Sequence, residues 1–400
     1  MNEADLPDDR QRATPLKGRG SATRLAHRFQ REAREAHDDG WGSLAGDAGQ
    51  TGTLPDTVVT PENAKTILAR NDSPDLPFTW SINPYRGCEH GCIYCYARPT
   101  HSYLNLSPGL DFETRLVAKV NAADCLRREL QKKGHEVSPI NIGSATDPYQ
   151  PVERTWRITR SVLEVLTATG HPFSIVTKSS GVERDLDLLA PAAAKQQALV
   201  LISVTTLDAD LSRRLEPRGA APHRRLQTVQ RLSQAGVPVG VNVAPIIPFL
   251  NEPEIERIIE AAAEAGAASI HYTVVRLPWE VNPLFQEWLS HHVPDRAERI
   301  MARWNLWRFR WPWASIHISA TSTGRFGAMR KKRSTRSGPA GPRIGAPAPP
   351  PSASNFRLPV TVTRDGSAPR AIRRRAVSSP CTQKRSMSPS TRIMNGRMSR

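Results

Sequence analysis

No run of about 18 consecutive apolar residues occurs anywhere in the 400-residue chain, so a membrane-spanning helix is not expected. The opening residues, MNEADLPDDRQR, lack the apolar core of an export signal. Cysteine is scarce, five in all, and three of them fall within eight positions. That distribution argues against a disulfide framework and for a reducing cytoplasm. Acid is nearly absent from one end. Residues 304–400 hold 20 Lys and Arg against Asp365 alone, a net +19, which leaves residues 1–303 at −2. The overall +17 therefore belongs to the tail, and the charge of the body says nothing in favour of nucleic acid.

What is present is an alternation. Residues 1–75 read as a polar extension rich in Gly, Asp and Arg, with a short helix near 24–36. From position 78, apolar strands are expected at 78–82, 139–143 (PINIG), 173–177 (FSIVT), 198–204 (ALVLISV), 237–243 (VPVGVNV) and 269–275 (SIHYTVV). Between them the spacing predicts helices at 122–132, 156–166, 184–197, 222–235 and 252–265, several closed by Gly. Apolar strands alternating with helices mean a parallel α/β sheet covered by helices. Six such units fit a partial or complete β/α barrel, or a doubly wound sheet. The expected division is an extension at 1–75, the α/β unit at 76–303 and a tail at 304–400. That tail opens with Trp304, Trp307, Trp311 and Trp313 and continues rich in Arg, Ser, Pro, Ala and Gly, with no visible alternation. It reads as disordered, with a composition that an out-of-frame reading of GC-rich coding DNA would give. The rival is a basic arm for nucleic acid or acidic lipid.

The three clustered cysteines stand in NPYRGCEHGCIYCYA, where Cys88, Cys92 and Cys95 form a C-x₃-C-x₂-C array. The array follows the first predicted strand, at the end where barrels place their chemistry. A structural zinc wants four protein ligands, and His90 or His101 offers a fourth. A [4Fe–4S] cube accounts for more: three cysteines bind three irons and leave the last open to a reactant. Tyr94, just before the last cysteine, is placed to pack beside such a cluster and shield it. Cys125 falls in a predicted helix and reads as an inert buried thiol, and Cys381 lies in the tail.

At these residues the sequence resembles the radical S-adenosylmethionine (SAM) enzymes, whose hallmark is C-x₃-C-x-aromatic-C after the first strand of a β/α barrel. Here that is Cys88, Cys92, Tyr94 and Cys95. NPYRGCEHGCIYCYAR, GSATDPYQPVE (143–153), TKS (177–179), SVTTLD (203–208), LEPR (215–218) and RLP (276–278) look like a bacterial branch related to the spore photoproduct lyase group. The likeness runs from about Lys17 to Arg303. It implies a partial (β/α)₆ TIM-like barrel of the radical SAM type, with a [4Fe–4S] cluster on the three cysteines. The implied reaction is reductive cleavage of SAM to a 5′-deoxyadenosyl radical that takes hydrogen from a substrate. An electron donor such as flavodoxin or ferredoxin is implied as partner, and the substrate is left open.

By the same resemblance, Thr146 and Asp147 fall where the SAM amino group binds, and Lys178 pairs with its carboxylate. Ser203 meets the carboxylate or ribose, Arg276 faces the same mouth, and Tyr94 presents its backbone to the adenine. One departure bears on substrate. The lyase group carries a cysteine hydrogen donor shortly before the Asp of its motif, where this chain has Ser144. A serine O–H bond is too strong to replace it, so the lyase activity is not carried over. Two rivals remain at this stage: a metal-stabilised nucleic-acid-binding protein with a structural cysteine site, and a β/α scaffold with redox-sensing thiols.

Overall fold

The computed structural model describes residues 16–29, 56–71 and 78–307 and the strand Ala314–His317. Eleven strands occur in it: β1 (Val58–Glu62), β2 (Leu68–Arg70), β3 (Trp80–Ile82), β4 (Tyr85–Arg86), β5 (Arg115–Lys119), β6 (Ile140–Ile142), β7 (Phe173–Thr177), β8 (Ala198–Ser203), β9 (Val239–Ile246), β10 (Ser269–Val274) and β11 (Ala314–His317). Strands β3, β6, β7, β8, β9 and β10 lie side by side in that order and run parallel. Antiparallel β2 borders one edge and antiparallel β11 the other, so the described ladder stays open as a partial (β/α)₆ barrel. A second small sheet joins β1, β5 and β4.

Strand periodicity sorts the side chains into two layers. Ile140, Ile142, Ile175, Val200, Ile202, Val241 and Val243, at most 1% exposed, share one core with the helices outside the sheet. The helix Ile158–Ala168 adds Val162, Leu163 and Leu166, and Pro222–Gln234 adds Val229 and Leu232. Each such side chain contributes about 1.5–3 kcal/mol on burial, so the core fixes strand register firmly. The alternate positions face the other way and are more polar. On that inner face the register sets Ser203 beside Asn242, and Asn242 beside His271.

Several sequence expectations are corrected. The helix expected at 156–166 is two pieces, Glu153–Trp156 and Ile158–Ala168, because Arg157 takes a left-handed conformation between them. The polar extension contributes β1 and β2, and residues 24–29 form no helix; the rest of the helix expected there lies outside the described residues. Residue 304, where the tail is expected to begin, falls within a helix. The helix Pro294–Trp307 runs through it, Trp304 is 5% exposed with its indole N–H donating to the Val275 carbonyl at 3.0 Å, and β11 extends the sheet beyond. Trp311, Trp313, Cys381 and the remainder of 318–400 lie outside the described residues. Among the described residues no helix is long and apolar enough to cross a membrane.

Candidate active site

The cysteine loop leaves the carboxyl end of β3 and turns tightly. Gly91 has φ +65°, and a Cβ there would stand 2.7 Å from a Glu113 carboxylate oxygen, so only glycine fits. Short backbone bonds, Gly91 N–H to Cys88 O at 3.3 Å and Cys95 N–H to Cys92 O at 3.2 Å, curl the three thiols around one loop. Cys88 and Cys92 are buried and Cys95 is half-buried. Cys92, Ile93 and Tyr94 share a second apolar core with Leu215, Phe285, Trp288, Ile300 and Trp304, so the last two described helices support the loop from behind. Burial pushes all three thiols up. Bare thiolates here would be costly, and bonding to a cationic metal centre removes that cost.

The two histidines near the cysteines have defined contacts. His90 Nδ1 stands 3.2 Å from Asp147 Oδ2, and His101 Nε2 stands 2.8 Å from the Arg115 carbonyl with its ring edge-on to Phe112. One ring nitrogen of each histidine thus faces a neighbouring oxygen. Among the described residues no three His, Cys, Asp or Glu side chains converge as the ligands of a single ion. Three cysteines on one loop suit a polynuclear cluster with one open iron.

A buried arginine that sequence reading missed holds the loop in shape. Arg98, fully buried, donates from Nε to Cys92 O (2.9 Å), from Nη1 to Pro108 O (3.1 Å) and Gly109 O (2.9 Å), and from Nη2 to Gly91 O (3.2 Å). Its Nη2 also meets Glu113 Oε1 at 2.5 Å. The Glu113 carboxylate accepts the Gly20 and Ser21 N–H groups at 2.9 and 3.0 Å, and Arg19 Nη1 donates to the Glu113 carbonyl at 3.0 Å. Residues 19–21 are thereby fastened to the outer side of the cysteine loop.

The residues singled out from the sequence are only partly free to bind. Thr146 is buried and its hydroxyl donates to Tyr85 O at 3.2 Å. Asp147 Oδ1 accepts from the Thr177 hydroxyl (2.7 Å) and Tyr149 N–H (2.9 Å), while Oδ2 accepts from Lys178 N–H (2.7 Å) and faces His90. Burial alone would push this carboxyl up, but His90 and the surrounding donors hold it at about 2. Asp147 thus clamps the loops after β6 and β7 to the cysteine loop. Lys178, half-buried, places Nζ 5.9 Å from the centre of the Tyr94 ring. Ser203 is buried at the end of β8, with its carbonyl accepting Arg225 Nη1 at 3.0 Å. Arg276 is exposed beyond β10. Ser144 Oγ accepts from Asn83 Nδ2 at 3.0 Å.

Tyr94 is itself anchored. Its hydroxyl donates to Glu216 in the LEPR stretch, and Arg225 bonds the other oxygen of the same carboxylate. Burial would raise Glu216, yet Arg225, Lys178, Thr205 and Tyr94 together hold it at about 2. Cys125 sits apart in the main core, with its thiol 3.1 Å from the Ala64 carbonyl.

The family model described as the radical SAM superfamily matches residues 82–262, a span that contains the cysteine loop, Thr146, Asp147, Lys178 and Ser203. The region 82–262 is a radical SAM region. The cofactors of radical SAM proteins are a [4Fe–4S] cluster and SAM. An uncharacterised protein of Mycobacterium tuberculosis is 36% identical over 226 residues, covering 56% of this chain and 66% of its own length. A radical SAM Nα-GlyT isomerase of Pseudomonas phage M6 is 24% identical over 220 residues, 54% of this chain and 43% of the isomerase. A solved structure of spore photoproduct lyase aligns with a TM-score of 0.44 and 18% identity, over 58% of this chain and 66% of the lyase.

Proposed function

We propose that this protein is a radical SAM enzyme in which Cys88, Cys92 and Cys95 hold a [4Fe–4S] cluster open at one iron to SAM. The observation that carries this reading is the loop itself: two buried thiols and a half-buried third at the carboxyl end of β3, braced by Arg98. When bound, the cluster and SAM supply one-electron cleavage of the S–C5′ bond and a 5′-deoxyadenosyl radical that takes a hydrogen atom from the substrate.

The chain's own residues bind, orient and exclude water. Arg98 and Asp147 fix the loop from opposite sides, and Tyr94 closes it against the core that contains Leu215 and Trp304. Lys178 brings a cation to the inner side, where a SAM carboxylate pairs with it, and Ser203 lines the strand end beside it. Thr146, Tyr94 and Arg276 complete the SAM surroundings through main-chain groups and rim charge. An electron donor of the flavodoxin or ferredoxin class reduces the protein, and the reducing cytoplasm suits its thiols. The catalytic unit is the α/β region read at 76–303, completed by residues 19–21 and by the helix that ends at Trp307.

Anaerobic reconstitution of the full chain tests this reading. The expected product is a brown protein with about four irons and four sulfides per chain, which yields 5′-deoxyadenosine from SAM under dithionite. A colourless protein with one zinc, or an undiminished 5′-deoxyadenosine yield from Cys92→Ala, would overturn it.

A further inference from the structure

The chemistry proposed above leaves one buried ion pair unused. Glu216 and Arg225 are each 1% exposed, and Arg225 lies on the helix Pro222–Gln234. One carboxylate oxygen of Glu216 accepts from Arg225 Nη2. The other accepts from the Tyr94 hydroxyl and, at 2.5 Å, from the Thr205 hydroxyl. Arg225 reaches on to the carbonyls of Ser203 (3.0 Å) and Ala220 (2.7 Å). The main chain follows the same path, since Ile93 N–H donates to Leu215 O at 3.1 Å. The pair therefore abuts the segment between Cys92 and Cys95 and the end of β8. A buried ion pair gains little over apolar packing of the same volume, and a neutral acceptor would anchor Tyr94 equally well. What a carboxylate adds is charge.

We propose that Glu216 is a positioning residue that seats Tyr94 and, as a fixed negative charge behind Cys92, holds a bound iron–sulfur cluster at low reduction potential. This rests on the cluster reading above. Reduction adds one electron close to the carboxylate, in surroundings of low dielectric where repulsion is strong. Arg225 and Lys178 offset part of that repulsion. Removing the carboxylate leaves both cations uncompensated, so reduction becomes easier.

Redox titration of the reconstituted full chain, followed by electron paramagnetic resonance with iron assayed in parallel, tests the assignment. Glu216→Gln is expected to favour the reduced form by about tenfold or more, a positive shift of about 59 mV for a one-electron couple. Tyr94→Phe breaks the same anchor without changing charge and is expected to stay within about threefold of wild type. A Glu216→Gln potential within that threefold range, or an equal shift in Tyr94→Phe, overturns the proposal. If Glu216→Gln loses its iron, Arg225→Gln at alkaline pH decides: harder reduction upholds the assignment, and easier or unchanged reduction overturns it. Absence of iron from the wild type would instead refute the cluster itself.

Discussion

Two buried arginine–glutamate pairs flank the same three cysteines, and their partners differ in kind. Outside the loop, Arg98 and Glu113 bond mainly to the backbone: carbonyls of Gly91, Cys92, Pro108 and Gly109 on one side, amides of Gly20 and Ser21 on the other. Inside it, Glu216 bonds only to side chains, those of Tyr94, Thr205 and Arg225. The first pair sets the course of the chain. The second also ties two carbonyls, those of Ser203 and Ala220, through Arg225, but its carboxylate acts through a ring and a charge. Buried ion pairs of similar make-up thus serve shape where they meet main chain, and electrostatics where they meet a side chain beside the thiols.

The largest effect expected on this contrast comes from Arg98→Ala. It strands Glu113 in the interior and frees four carbonyls, so stability should fall by about 3–5 kcal/mol, read from urea unfolding, and iron content after reconstitution should fall with it. Arg98→Lys should not rescue either measure, because one ammonium cannot reproduce the five contacts of a planar fork. Full iron retention in Arg98→Ala would break the distinction between the two pairs. Gly20→Val sharpens it from the amide side. A Cβ at Gly20 would stand 1.7 Å from the Gly91 carbonyl oxygen, so the segment must lift away. The expected cost is about 1–3 kcal/mol, with new protease cleavage between residues 16 and 29 as the readout.

The smallest effect comes from a third arginine–glutamate group, partly exposed and away from the cysteines. Burial would raise the Glu183 carboxyl, but bonds from Arg224, Thr228 and Arg231 hold it at about 2, below its ordinary 4.5. A carboxyl depressed in the folded state contributes stability above its unfolded value, and that contribution is lost as pH falls from about 4.5 towards 2. Glu183→Gln should therefore cost about 1–2 kcal/mol at neutral pH. Its unfolding curve should converge on the wild type's as pH approaches 2, measured by urea titration across the acid range.

The parallel strands were legible because each is a short apolar run between turn signals, and FSIVT fills β7 from Phe173 to Thr177. The cysteine triplet was legible because its ligands are neighbours in sequence. The groups that hold it are not. Arg98 finds Glu113 15 positions on, and Tyr94 finds Glu216 122 positions on, separations at which no periodicity links partners. Asp147 illustrates a subtler gap: a motif marks where a carboxylate stands but not how many donors already occupy it. The strand β1, VVTPE, is largely exposed and contains a proline, so it carries neither alternation nor an apolar run. Trp304 sits where the composition changes, and its burial beside Val275 depends on a helix that crosses that boundary.

The span between Tyr94 and Glu216 also orders events in time. A ribosome adding about 5–20 residues per second needs roughly 6–25 s to reach Glu216 after it has made Tyr94. For that interval the three thiols exist without the anchor behind them, and Arg225 comes later still. A nascent chain therefore carries its cysteines unshielded well before the inner wall of their pocket exists, and oxygen meets them most easily then. Growth at low oxygen should raise the fraction of chains able to accept iron afterwards, even when purification is anaerobic in both cases.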